Sequence, residues 1–130
     1  MFIKINPECC GKFGRKTLHD GELTDRPPHI YRLHYEFDKP PTSELLQINC
    51  VFIGSADLVG KIRALDPRAT GVFFEEAITT TTPEYRQSFP NQEPGEYKWF
   101  KINGVARVDD FGLTPEKDLV VSDRVLSLLK

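Results

Sequence analysis

No apolar run in this chain approaches the roughly 18 residues that a membrane-spanning helix needs. Neither sign of charge is in excess, with 17 basic residues against 19 acidic ones and a net charge of −2. The first absence removes a helical membrane anchor. The second removes the footprint of a protein that grips nucleic acid or an anionic lipid surface, because those partners are held by clustered Lys and Arg. The opening MFIKINPECC starts apolar but is broken at once by Lys4, Asn6, Pro7 and Glu8. It therefore lacks the roughly seven or more apolar residues of a signal-peptide core. With neither anchor nor leader, the expected location is the cytosol.

Cysteine is scarce as well. Cys9, Cys10 and Cys50 are odd in number and two of them are adjacent, a poor basis for a disulfide framework, so reduced thiols are expected. Zinc-ligand spacing is also missing, since no Cys-x2-Cys or His-x3-His pair occurs. Cys9, Cys10, His19, His29, His34 and Cys50 thus fail to compose a metal site, and no metal or cofactor is expected. Two motifs imitate nucleotide chemistry. Gly54 to Lys61 puts five residues between its glycines where a phosphate-binding loop has four, and Ile62 stands where a magnesium-binding hydroxyl belongs. Asp110-Phe111-Gly112 spells the kinase metal-binding triplet without the accompanying loops, and reads instead as an acidic turn with Gly112 at positive φ.

What is present is the composition of one globular domain: 39% apolar and 28% charged residues over a length that buries a single core. Phe2 to Asn6 reads as a short edge strand ended by Pro7, and the Gly- and Pro-punctuated segment to residue 29 as irregular. Ile30 to Phe37 alternates, with Tyr31, Leu33, Tyr35 and Phe37 facing the core and Arg32, His34 and Glu36 facing water. Thr42 or Ser43 is expected to cap a helical turn through Leu45 and Leu46, and Ile48 to Ile53 to form a buried strand. Ser55 caps an amphipathic helix whose inner face is Leu58, Val59, Ile62 and Leu65. Val72 to Thr79 is a strand, and residues 80–96, with three prolines, form a long loop of the kind that often binds partners. Tyr97 to Val108 is a strand or hairpin turned by Asn103-Gly104, and Leu119 to Val121 a last strand before a helix capped by Ser122. The sum is one α+β domain over 1–130, with residues 1–29 largely irregular. Its expected core is a mixed or antiparallel sheet of about five or six strands, carrying helices Ser55–Leu65 and Ser122–Lys130 on one face.

No nucleophile, base and oxyanion donor fall into a recognisable catalytic spacing, so the expected function is non-enzymatic binding. The carboxylates Glu93, Glu96, Asp109 and Asp110 around Trp99 form the candidate contact surface, since aromatics carry much of an interface's energy and carboxylates steer a basic partner. Two alternatives stand beside this reading. One is a small thiol enzyme using Cys9 or Cys10 with His19 as its base. The other is a self-associating scaffold domain.

Several segments share a further pattern: the strand-cap-helix units Val51 to Leu65 and Leu119 to Leu129, the strand entry Thr70-Gly71-Val72-Phe73-Phe74, and Tyr97-Lys-Trp-Phe-Lys-Ile followed by Asp109-Asp110-Phe111. With the closing Leu119-Val-Val-Ser-Asp-Arg-Val-Leu, the stretch from Tyr31 to Lys130 resembles a superfamily of bacterial immunity proteins that neutralise polymorphic or contact-delivered toxins. The resemblance implies an inhibitor that binds its cognate protein toxin in the producing cell's cytosol and occludes or distorts the toxin's active site. It carries over no toxin-contacting residue. Cys9-Cys10-Gly11 matches only part of a paired-cysteine motif found in some relatives, so no metal site is carried over either.

Overall fold

Alternating side chains dominate the folded chain, which is built mostly of short strands. The computed structural model describes residues 1–129. In order these form β1 (Phe2–Ile5), β2 (Gly11–Phe13), β3 (Leu18–Asp20), β4 (His29–Arg32), β5 (His34–Phe37), β6 (Leu45–Ile48) and β7 (Val51–Ser55). Then come α1 (Ala56–Arg63), β8 (Val72–Glu75), β9 (Ile78–Thr81), α2 (Pro83–Ser88), β10 (Tyr97–Ile102), β11 (Phe111–Leu113), β12 (Leu119–Ser122) and α3 (Asp123–Leu128). The α+β class holds. The expected single sheet with two helices does not, because the strands divide among four sheets and a third helix is present.

The central sheet has the order β6-β7-β10-β8 and is antiparallel throughout. Strand parity gives it two buried faces. Leu46, Val51, Ile53, Tyr97 and Trp99 point one way and pack with Cys10, Leu33, Tyr35, Phe37 and Tyr85. Leu45, Phe52 and Phe100 point the other way and meet Leu58, Val59 and Ile62 of α1, Val125 of α3, and Phe111, Leu119 and Val121. Each such large side chain, fully buried, stabilises by roughly 1.5–3 kcal/mol. The sheet β2-β5-β9 lies over the first face, and β1-β12-β11 shares the second core with α1 and α3.

The helix α1 forms as its sequence requires. The Ser55 hydroxyl accepts from the Leu58 N–H at 3.1 Å, Asp57 sits in the positive first turn, and Lys61 and Arg63 sit in the last. Truncating Leu58 to Ala would open a cavity at the α1–sheet contact and cost about 2–5 kcal/mol.

Elsewhere the expected elements break in specific places. Within 7–29 the chain is not simply irregular, since β2 pairs with β5 and β3 with β4. The strand expected over 30–37 is interrupted at Leu33, whose carbonyl accepts from Ile78. That break shifts the parity, so Ile30 is buried and Tyr31 is 58% exposed, while His34 is buried rather than wet. Leu45 and Leu46 lie in a strand, not a helical turn. The apolar run 48–53 is folded in two by Asn49 and Cys50 at φ 42° and 65°, a two-residue hairpin turn with Ile48 opposite Val51. Val72 to Thr79 is likewise two strands, β8 and β9, that join different sheets.

The expected loop 80–96 contains α2, with the Thr82 hydroxyl capping Tyr85 N–H at 3.0 Å, Pro83 in its first turn and Tyr85 anchored in the core. No hairpin forms at Asn103-Gly104, because β10 already has β7 and β8 as neighbours and both turn amides donate to Gly71 O. Gly112 lies in a strand without positive φ; a Cβ there would come within 2.4 Å of the Val105–Ala106 backbone, so close approach is what demands glycine. The helix expected at Ser122–Lys130 is α3, with Lys130 outside the described residues. Ser122 makes no side-chain cap for it and turns its hydroxyl to Asp110 at 2.6 Å.

Candidate functional site

A groove with exposed aromatic rings beside it lies over β10 and the 27–31 segment. This groove, of about 450 Å³, is bounded by Pro27, Pro28, His29 and Tyr31 on one wall and by the Cys50–Phe52 end of β7. Its floor is Trp99 and Lys101, with Glu75 of β8 beside them. The alternation of β10 puts Trp99 and Lys101 on one face, and β8 aligns Glu75 with Trp99 and Phe73 with Lys101. The Lys101 ammonium is 4.6 Å from the Trp99 ring centre, 5.4 Å from that of Phe73 and 3.2 Å from a Glu75 carboxylate oxygen. This cation is held between two rings and a carboxylate, an arrangement that orders the floor without blocking it.

Two rings stand out into solvent around this floor: Tyr31 is 58% exposed and Phe73 42%. The Tyr31 hydroxyl donates to the Asp20 carboxylate, which raises its pKa, and His29 tilts against the same ring at 4.9 Å. The alternation over 30–37 predicts Tyr31 on the core face, and the structure turns it out to solvent instead. The paired prolines before His29 and the three-residue interval from Ile30 to Leu33 are the signals that a parity break was coming. Chemically the groove offers aromatic faces, one neutralised ion pair and a histidine, which suits an apolar side chain with a polar or charged edge.

The five residues expected to form a contact surface are not presented together. Trp99 is 7% exposed and belongs to the core. Asp110 is gripped by Arg124, Ser122 and the Thr70 N–H, and the first of these holds its carboxyl far below the usual range. The Asp109 carboxylate accepts from Val105 N–H at 2.7 Å and closes its own turn. Glu96 is exposed but pairs with Lys98 at 3.2 Å, and Glu93 is exposed.

The thiols and histidines are similarly dispersed. Cys10 is fully buried, and burial with Glu8 nearby pushes its thiol up to about 12. Cys9 is exposed and donates to Gly11 O, while His19 bonds Gly21 O at 3.0 Å, so no hydrogen bond joins His19 to either thiol. His34 accepts at Nδ1 from Lys16 N–H at 3.1 Å and so carries its proton on Nε2, which donates to Thr80 Oγ1 at 2.7 Å. Burial lowers its pKa. Among the described residues no group of three or more His, Cys, Asp or Glu is placed to hold a metal ion, and no helix is long and apolar enough to cross a membrane.

Neither a family model, nor a curated protein, nor a solved structure matches this chain.

Proposed function

We propose that this chain is a non-enzymatic protein-binding domain of the bacterial cytosol, an immunity protein that neutralises a cognate toxin by direct contact. The observation that supports binding is the pair of exposed rings, Tyr31 and Phe73, around the Trp99–Lys101 floor. Leaving large aromatic surface in water is unfavourable, and such residues around a concave floor are what interface hot spots are made of. The toxin as partner comes from the resemblance over Tyr31 to Lys130. The buried, high-pKa thiol of Cys10 counts against Cys10 as the nucleophile of the thiol-enzyme alternative, because the thiolate is the attacking species.

The test is a pull-down with the purified chain from the source bacterium, read by mass spectrometry at physiological salt, with Tyr31→Ala/Phe73→Ala as the control bait. Stoichiometric recovery of a toxin by the wild type, lost with the double variant, supports the reading. Recovery of nothing, or equal recovery by both baits, sinks either the partner or the surface.

A further inference from the structure

The hydrogen-bond parity of the central sheet identifies backbone groups that β8 leaves over. Ala56 N–H donates to Glu96 O at 2.9 Å, so residues 96, 98 and 100 direct their backbone groups toward β7 and its helix junction. Residues 99, 101 and 103 then bond in the other direction, and the Asn103 N–H does reach Gly71 O at 2.9 Å. Gly71, Phe73 and Glu75 therefore face β10. The N–H and C=O of Val72 and Phe74 point outward from a strand that ends its sheet. Among the described residues neither Val72 nor Phe74 makes a hydrogen bond across that edge. Such an edge is a template for another strand unless charge or bulk blocks it.

The flanks of this edge have a definite charge. On the α1 side a hollow of about 180 Å³ is lined by Ile62, Arg63, Arg68, Ala69 and the 72–74 stretch of β8. Arg63 stacks over the Phe74 ring at 5.3 Å, and neither Arg63 nor Arg68 has a carboxylate partner among the described residues. The acids at the end of β8 are already taken, Glu75 by Lys101 at 3.2 Å and Glu76 by Lys98 at 2.7 Å. The opposite flank shows the exposed ring of Phe73.

We propose that β8 accepts an extended segment of a protein partner as the fifth strand of the central sheet, a segment in which acidic residues alternate with apolar ones. The inference rests on reading the chain as a protein-binding domain. Strand alternation sends every second side chain of the added segment toward α1, where carboxylates meet Arg63 and Arg68. The intervening apolar side chains pack beside Phe73, continuous with the Trp99–Lys101 floor. Main-chain bonds to Val72 and Phe74 supply adhesion, and the two guanidinium groups select the partner's charge.

The experiment is fluorescence anisotropy of the full chain with two labelled peptides of about ten residues, one alternating valine with glutamate and one alternating valine with lysine. The glutamate peptide should saturate at micromolar concentration and the lysine peptide should bind at least tenfold more weakly. Val72→Pro removes the outward N–H at the cost of some packing of the half-buried Val72 side chain against the second core, so it should abolish binding while preserving the circular dichroism spectrum. Arg63→Glu with Arg68→Glu should reverse the preference between the peptides. Should Val72→Pro fail to fold, amide exchange on the wild type reads the same contact, as slowed exchange at Val72 and Phe74 when the glutamate peptide is added. Equal binding of the two peptides, unchanged exchange at both amides, or sedimentation showing a second copy on this edge would overturn the proposal. Toxin capture in the pull-down alongside any of these would leave the binding reading intact and remove only this edge from it.

Discussion

Arg124 grips Asp110 with two prongs, Nε to Oδ1 at 3.0 Å and Nη2 to Oδ2 at 2.8 Å, while also donating to the carbonyls of Pro67 and Arg68. One side chain thereby ties the start of α3 to the β11 entry and to the segment between α1 and β8. Asp110 adds the Ser122 hydroxyl at 2.6 Å and the Thr70 N–H at 3.0 Å. Asp110→Asn removes a charge-assisted network and should cost about 1–3 kcal/mol in urea denaturation at pH 7. The carboxyl's folded pKa lies below its unfolded value near 3.9, so its contribution is complete above about pH 5 and is lost as pH falls from there toward the folded value. The gap between wild type and Asp110→Asn should therefore narrow below about pH 4 and stay constant above about pH 5. A gap that stayed constant down to pH 2 would refute the charged network.

His34 sets a second, earlier acid window. Burial is the main cause of its lowered pKa, with Lys16, Arg15 and Arg32 acting in the same direction and Glu36 opposing. A histidine whose folded pKa is depressed takes up protons more readily when unfolded, so stability is full above about pH 6.5 and declines as pH falls below it. Protonating Nδ1 also sets a donor against the Lys16 N–H it now accepts from. His34→Asn should flatten the dependence of stability on pH between about 7 and 5 without altering the Asp110 window below it. Urea midpoints measured across that range on both variants separate the two groups.

The contrast between these residues shows what was legible in the sequence. The β7–α1 and β12–α3 units were readable because their signals are local, a β-branched or apolar strand followed directly by serine, an acid and an amphipathic turn. Short β2 and β3 were not, because Gly11 becomes a strand residue only by pairing with Phe37, far along the chain. Asp110 looked like surface charge since its partner Arg124 belongs to another element. Trp99 sits mid-sheet on a face that the core covers, while Phe73 on the same face stays exposed because β8 is the edge strand, and the break at Leu33 turns Tyr31 outward. The unpaired edge of β8 depends on which strand lies beside β10, and no local pattern encodes that.

The Asn49-Cys50 turn was hidden inside an apolar run, and it makes an independent prediction. Cys50 holds φ 65°, a region where a side chain costs roughly 1–2 kcal/mol and glycine costs little. Cys50→Gly should raise the thermal midpoint. Asn49→Ala should lower it, because the Asn49 amide donates to Leu23 O and Asp25 O at 2.8 Å each and so fastens the 23–25 segment to the hairpin. The expected loss is about 1–2 kcal/mol, with faster amide exchange in 22–26 as its local signature. If Cys50→Gly proved destabilising, packing of its half-buried thiol would outweigh the backbone relief.

Thiol reactivity separates the binding reading from its enzymatic rival. Cys10 is enclosed between β2, β5 and the Tyr35 hydroxyl, which accepts its N–H at 2.9 Å, and its thiol is pushed up to about 12. At pH 8 almost none of it is thiolate, so iodoacetamide should label Cys9 in the native protein and reach Cys10 only after denaturation. His19 of the exposed β3 bonds Gly21 O and makes no hydrogen bond to Cys9, so His19→Ala should leave the labelling rate of Cys9 unchanged. A rate that fell with His19→Ala, or native labelling of Cys10 at pH 8, would mean that an imidazole or an opening of this core activates a thiol, and the non-enzymatic reading would have to give way.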